Sequence, residues 1–292
     1  MLLRMKYRYP DLRIMTGIKF EQHMPTGLST LDPVFDGGIP PGSVVLLKGD
    51  IGSGKIEFAY SSMIHLSHLM NRESTDEKVL IPKDICYITV TKRKESILRE
   101  ISQSFHEDFL SHIDRIHFED LSDIYFDTSL VPITWYSEYD DIIERMTARR
   151  KIHDNLLTTL SFTLDDVPNQ SLVIIDSLTE IATQYIAAGK WPDLSAYLRG
   201  MQRVAKKWNT SFYLILTKGI LSPYQEIEVA DAMDAVIHFK WEESSSAKRQ
   251  RVLYIEKFRG VMIHLEDRDL VKFAVKITPE RGFEVSNIRV VI

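Results

Sequence analysis

The chain has 292 residues, 44% of them hydrophobic and 26% charged, with a formal net charge of −5. That make-up suits one large or two small globular α/β domains, and its acidic balance gives no support to a protein that coats nucleic acid. No apolar stretch approaches the roughly 18 residues of a membrane span, and a single cysteine, Cys86, excludes an internal disulfide framework and suits a reducing interior.

Residues 1–23 carry a basic excess (Arg4, Lys6, Arg8, Arg13, Lys19) and read as an arm or edge segment. The opening apolar run is too short for a signal peptide, so a cytoplasmic location is expected. Residues 24–292 read as one domain. Between Pro25 and Gly42, paired glycines and prolines demand tight turns, which end at an apolar strand, Ser43–Lys48. Gly49-Asp50-Ile51-Gly52-Ser53-Gly54-Lys55 then fits G-x-x-x-x-G-K, the Walker A phosphate-binding loop, and a helix is expected over 56–64. Strand, loop and helix in that order are the context this motif requires.

In such a loop the glycines let backbone amides turn inward as an anion nest, and the helix N-terminus adds positive potential. Lys55 supplies a point charge to the β- and γ-phosphates. Residues Gly49, Asp50, Ile51, Gly52, Ser53, Gly54, Lys55 and Ile56 are therefore the expected nucleotide-binding set. Ile56 stands where the motif carries Ser or Thr, the hydroxyl that holds Mg²⁺. Binding reads as retained; the chemistry lacks a part.

Further along, Asp84–Thr91, Leu172–Asp176 and Ser211–Thr217 are apolar, β-branched runs expected as buried parallel strands. Helices are expected at Lys94–Phe105 and Leu194–Trp208, the latter with Leu194, Tyr197, Leu198, Met201 and Val204 on one face. The alternation argues for an α/β fold with a mostly parallel central sheet covered by helices on both faces. Arg115–Phe118 reads as a short strand and 139–163 as helix, whereas 121–136 shows no clear pattern. Ala235–Phe239, Arg251–Lys257, Leu270–Ile277 and Gly282–Val291 read as a mostly antiparallel C-terminal extension.

Leu172-Val173-Ile174-Ile175-Asp176 is a strand ending in an acid, a Walker B pattern. Asp176 is expected beside the loop, holding Mg²⁺ through water; the alternative is an Asp that caps the next turn. His65 and His68 lie three apart with no third ligand, so a metal site is not expected there. Ser177 has no His or Asp placed to make it a nucleophile, and Trp191 and Trp208 read as packing residues.

Taken together, the chain resembles the KaiC-like branch of the RecA superfamily over about 24–262. The resemblance rests on Thr26–Asp32, Gly37–Ser43, Ile175–Glu180, Asp234–Ile237 and Ile255-Glu256-Lys257-Phe258-Arg259-Gly260, and within that branch the chain resembles a proline-bearing subgroup of archaeal RecA-like proteins. It implies a RecA-like P-loop fold, ATP or ADP as ligand, and a homo-oligomer. Lys257 and Arg259 stand where the family has a K-x-R-G motif that reaches the γ-phosphate of the neighbouring subunit, which implies trans-acting phosphate contacts; on their own they equally suit two solvent-facing charges on one strand face.

Active members of the family carry a Glu-Glu pair at the end of the second core strand, where this chain has Thr91 and Lys92. Glu95 and Glu57 are poorly placed to replace it. Lys92, Arg93 and Lys94 form a cationic cluster instead, and Thr217-Lys218 is a candidate γ-phosphate sensor. The leading expectation is an ATP-binding protein with weak or no hydrolysis, acting as a nucleotide-dependent regulatory or scaffold subunit for a protein partner. An active ATPase in DNA recombination or signalling, and an interaction module that binds no nucleotide, are the alternatives.

Overall fold

The structure is a computed structural model and describes residues 22–70, 76–137, 156–243 and 249–287. Of the expected arm, residues 1–21 lie outside the described residues, as do 138–155 within the expected helix and 288–292 at the end of the last expected strand.

Nine strands form one sheet in the order β3-β2-β4-β5-β1-β6-β7-β8-β9. In chain order they are β1 (Val44–Gly49), β2 (Ile85–Thr89), β3 (His117–Asp120), β4 (Leu172–Asp176), β5 (Ser211–Thr217), β6 (Ala235–Glu243), β7 (Arg249–Phe258), β8 (Lys272–Thr278) and β9 (Gly282–Asn287). Pairings from β3 through β6 are parallel, and those from β6 through β9 are antiparallel. Every residue of β2 and β4 is buried, as strands covered on both faces require. Each was therefore legible as an unbroken apolar run.

β6 corrects one expectation. It was assigned to the antiparallel extension, yet it pairs parallel with β1 (Leu46↔Val236) and antiparallel only with β7, and it runs on to Glu243. The pairing with β7 carries an irregularity at Val236/Ile237 that leaves Glu256 unpaired between Lys257 and Ile255. Such a bulge re-aims a side chain. Glu256 meets Lys48 Nζ at 2.9 Å and accepts from His238 Nδ1 at 2.6 Å.

Two apolar layers flank the sheet. One packs α1 (Lys55–Leu69) and α2 (Lys94–Ser104) with residues of β7 to β9, and Phe58 of α1 meets Tyr213, Phe239 and Phe283 at centroid distances of 5.9, 5.4 and 5.2 Å. The other packs α4 (Leu156–Asp166), α5 (Leu178–Ala187), α6 (Trp191–Trp208) and α7 (Pro223–Asp231). Short helices α3 (Ser122–Asp127) and α8 (Met262–Asp267) complete the set among the described residues. α6 buries Leu194, Leu198, Met201 and Ala205 at helical spacing and stops at Asn209, which takes the left-handed conformation at φ 52°. α7 starts with a capping box, Ser222 with Gln225, and Pro223 in its first turn. Among the described residues no helix is long and apolar enough to cross a membrane.

Candidate phosphate-binding site

The loop 49–55 leaves the C-terminal end of β1 and feeds directly into α1, which begins at Lys55. Gly54 sits at φ 106°, a conformation closed to side chains, and a Cβ there would lie 3.2 Å from Ile277 Cδ1 and 3.3 Å from the Phe283 ring. Three successive carbonyls of the loop are engaged by side-chain donors. Ser53 Oγ (2.7 Å) and Lys55 Nζ (3.1 Å) donate to Asp50 O, Trp241 Nε1 donates to Ile51 O (3.3 Å), and Arg251 Nε donates to Gly52 O (3.0 Å). Trp241 is itself covered by the guanidinium groups of Arg249 and Arg251, 4.2 and 4.6 Å from its ring centroid. Carbonyls held back in this way leave the cradle to amide donors, which is the arrangement an anion nest needs.

Lys55 is 5% exposed. Burial pulls its pKa down, opposed by the charges of Glu57, Asp176, Asp50 and Glu180. A buried ammonium whose bonding partner is a loop carbonyl gains from any anion that enters. Ile56 packs half-buried against the α1-side core and brings no hydroxyl. The neighbouring Ser53 hydroxyl is buried and donates to Asp50 O, so it offers no substitute.

At the other end of the site, Asp176 closes β4 beside Thr89 of β2. Its Oδ2 accepts from the Tyr87 hydroxyl at 2.7 Å. Burial raises the Asp176 pKa, opposed by that bond and by the charge of Lys92. Ser177 accepts from the Thr179 amide (3.1 Å), capping α5, and donates to Glu180. Thr179 Oγ1 accepts from the Thr217 amide (2.9 Å), and the Lys218 amide donates to Gly49 O (3.0 Å), so the expected sensor segment does adjoin the loop.

The cationic cluster divides. Lys92 turns into the site: its Nζ lies 2.8 Å from Glu100 Oε2, and its charge acts on Asp176 and Glu180. Burial alone would lower the Lys92 pKa, but these carboxylates raise it on balance. Arg93 instead donates to Tyr136 O (2.5 Å), and Lys94 Nζ lies 5.8 Å from the Phe118 ring centroid. Sequence reasoning missed Tyr87, Glu100 and Glu180. Only Tyr87 left a signal, a phenol two residues before the end of an otherwise aliphatic buried strand.

The donor set around Asp176 does not suit the Mg²⁺ ion expected there. Position 56 gives no oxygen, one Asp176 oxygen is held by Tyr87, and the positive charge of Lys92 acts on Asp176. The residues present do not fit a bound Mg²⁺, and no chemical step is derived through one.

Lys257 and Arg259 lie elsewhere. Lys257 Nζ donates to Ala230 O (2.8 Å) and Asp231 O (3.0 Å), and Arg259 donates to Asp231 O (2.9 Å), closing the C-terminus of α7. Lys257 sits opposite Val236, level with Leu46 of β1 and on the sheet face away from α1. The two cations therefore do not join the loop of their own chain. His65 and His68 have ring centroids 6.5 Å apart, and His112 meets His68 edge-on at 4.7 Å, a cluster of ring contacts. Trp191 donates to Glu228 and both Trp191 and Trp208 pack against the α6-side core, as expected.

Comparison with known families matches residues 24–288 to the family described as "ATPase: KaiC". Among solved structures, the crystal structure of a KaiC-like protein from the hyperthermophilic archaeon Pyrococcus horikoshii aligns with a TM-score of 0.55 at 18% identity, covering 91% of this chain and 99% of that one. At that identity the likeness speaks for the fold, which is RecA-like α/β. No curated protein matches the sequence.

Proposed function

This chain belongs to the KaiC ATPase family and is a nucleotide-binding P-loop protein, and from that premise we propose that it binds ATP or ADP with weak or no hydrolysis and works as a nucleotide-dependent regulatory or scaffold subunit. The observation that carries this reading is the contrast inside one site. The loop Gly49–Lys55 keeps its glycines, its buried lysine and its engaged carbonyls. At the end of β2, where a general base belongs in active relatives, Lys92 presents an ammonium paired with Glu100. A cation takes up no proton from an attacking water, and loss of a general base removes about 10²–10⁴ in rate.

Bound nucleotide would be gripped by the amides of 50–56 and by Lys55. The reading also takes in a homo-oligomer in which Lys257 and Arg259 reach a neighbouring subunit's phosphate, exchanging their bonds to the end of α7 for that contact. Action on a protein partner in the cytoplasm belongs to the same proposal, and the net charge of −5 gives no support for a nucleic-acid partner. Calorimetric titration of ATP and ADP into wild type and Lys55→Ala tests it. Micromolar binding that needs Lys55 supports the reading, whereas no binding to wild type points to a pure interaction module.

A further inference from the structure

Resting on the reading that this loop binds nucleotide, we propose that it takes the nucleotide free of Mg²⁺, with the Lys92 ammonium as a built-in counter-ion for the terminal phosphates.

Three observations converge on this. A metal at a Walker-type site is held by a hydroxyl next to the loop lysine and by the acid that ends the neighbouring strand. The first is replaced by Ile56, whose side chain packs into the core. The second, Asp176, is buried and spends one carboxylate oxygen on the Tyr87 phenol, which leaves a single oxygen for any other partner.

The second observation is the place of the replacement charge. Lys92 is the member of its basic run that pairs with Glu100 and whose charge acts on Asp176 and Glu180, while Arg93 and Lys94 are drawn off to Tyr136 and Phe118. The Thr89 hydroxyl shapes the turn that carries Lys92, donating to Lys92 O at 2.8 Å and accepting from Lys92 N at 3.2 Å. Glu100, two turns into α2, then holds the ammonium at 2.8 Å. The charge is thus aimed by its backbone and by its partner, with its side chain still 40% exposed and open to an incoming anion.

The third is that the carboxylates nearby are already engaged. Glu100 pairs with Lys92, Glu180 accepts from Ser177, and Asp176 accepts from Tyr87. A divalent ion would compete with these bonds for the carboxylates, whereas a polyphosphate between Lys55 and Lys92 meets two ammonium groups. Charge-assisted bonds to phosphate oxygens are among the stronger ones available to a protein.

The test titrates ATP into the full chain by calorimetry, once with EDTA and once with excess Mg²⁺, for wild type, Lys92→Gln and Lys92→Arg. Wild type is expected to bind within about 3-fold of the same affinity in both. Lys92→Gln should lose about tenfold in EDTA and Lys92→Arg stay within about 3-fold, the size of one charged hydrogen bond. Thermal melting of each variant checks folding, and Lys92→Arg keeps the test valid should the neutral variant misfold. A tenfold or greater gain on adding Mg²⁺ to wild type, or unchanged metal-free binding in a folded Lys92→Gln, overturns the proposal while leaving nucleotide binding intact. Failure of wild type to bind in either condition overturns the underlying reading as well.

Discussion

The two ends of the site have been treated differently by the sequence. The loop end is built from backbone: glycine conformations, carbonyls turned into donors from β6 and β7, and the start of α1. The acid end is built from side chains on separate elements: Asp176 on β4, Tyr87 on β2, Lys92 after it, Glu100 on α2. A backbone site is protected because almost any change at Gly54 collides with Ile277 or Phe283 and needs a forbidden φ. A side-chain site can be rewritten residue by residue without touching the fold. The proposed reading, binding kept and hydrolysis weakened, follows that difference.

The largest effect expected on either end comes from what supports the loop. Phe58→Ala removes the ring that meets Tyr213, Phe239 and Phe283 under α1 and should cost about 3–5 kcal/mol in urea unfolding. A loss below about 1 kcal/mol would mean that the loop does not depend on that packing. Next, Lys55→Ala should weaken ATP binding by about 1.5–3 kcal/mol, roughly 10- to 150-fold, with stability little changed.

Tyr87→Phe probes the acid end. It strips the buried donor from Asp176 and should destabilise by about 1–2 kcal/mol, read by thermal or chemical unfolding. A neutral result would show that Asp176 has another partner and would weaken the contrast drawn here. Lys92→Gln should move stability by less than about 0.5 kcal/mol, because its ion pair is 40% exposed on both sides, so any change in nucleotide affinity is a site effect.

A control outside both ends lies at the bulge. The Glu256 pKa is lowered to about 2 by its bond from His238, with Lys48 adding to the pull against burial. A depressed carboxyl pKa gives stability that is complete above the unfolded value and lost as pH falls through the folded one. The Glu256 share should thus be present above about pH 4.5 and fade towards pH 2. Glu256→Gln should cost about 1 kcal/mol at neutral pH, discounted for partial exposure, and should flatten the wild-type difference at low pH. An unchanged pH profile would contradict this.

Much of the fold was legible because its signals are local. β4 and β5 end where their apolar runs end, and α6 shows its buried face in residues 194, 198, 201 and 205. α5 went unread because it follows β4 after one residue, Ser177, with no turn composition between them. α7 was missed although Ser222 and Gln225 spell its cap, because it buries only Val229 and so lacks an apolar stripe. β6 was misassigned because its sequence cannot show that its two neighbours run in opposite directions.

The site divides along the same line. The loop is contiguous, so Gly49–Lys55 announced itself. Tyr87, Glu100 and Glu180 come to Asp176 through strand register and helix rotation, and nothing in their spacing along the chain predicts it. Lys257 and Arg259 were legible as a motif, but their bonds to the end of α7 depend on the bulge that no run of residues reveals.

Steady-state phosphate release from saturating ATP with Mg²⁺, measured on the purified full chain at a concentration that allows assembly, tests the central claim most directly. The account predicts turnover below about 10⁻² s⁻¹, an ordinary enzymatic rate reduced by the loss of a general base. Release at about 1 s⁻¹ or faster that disappears in Lys55→Ala would contradict it.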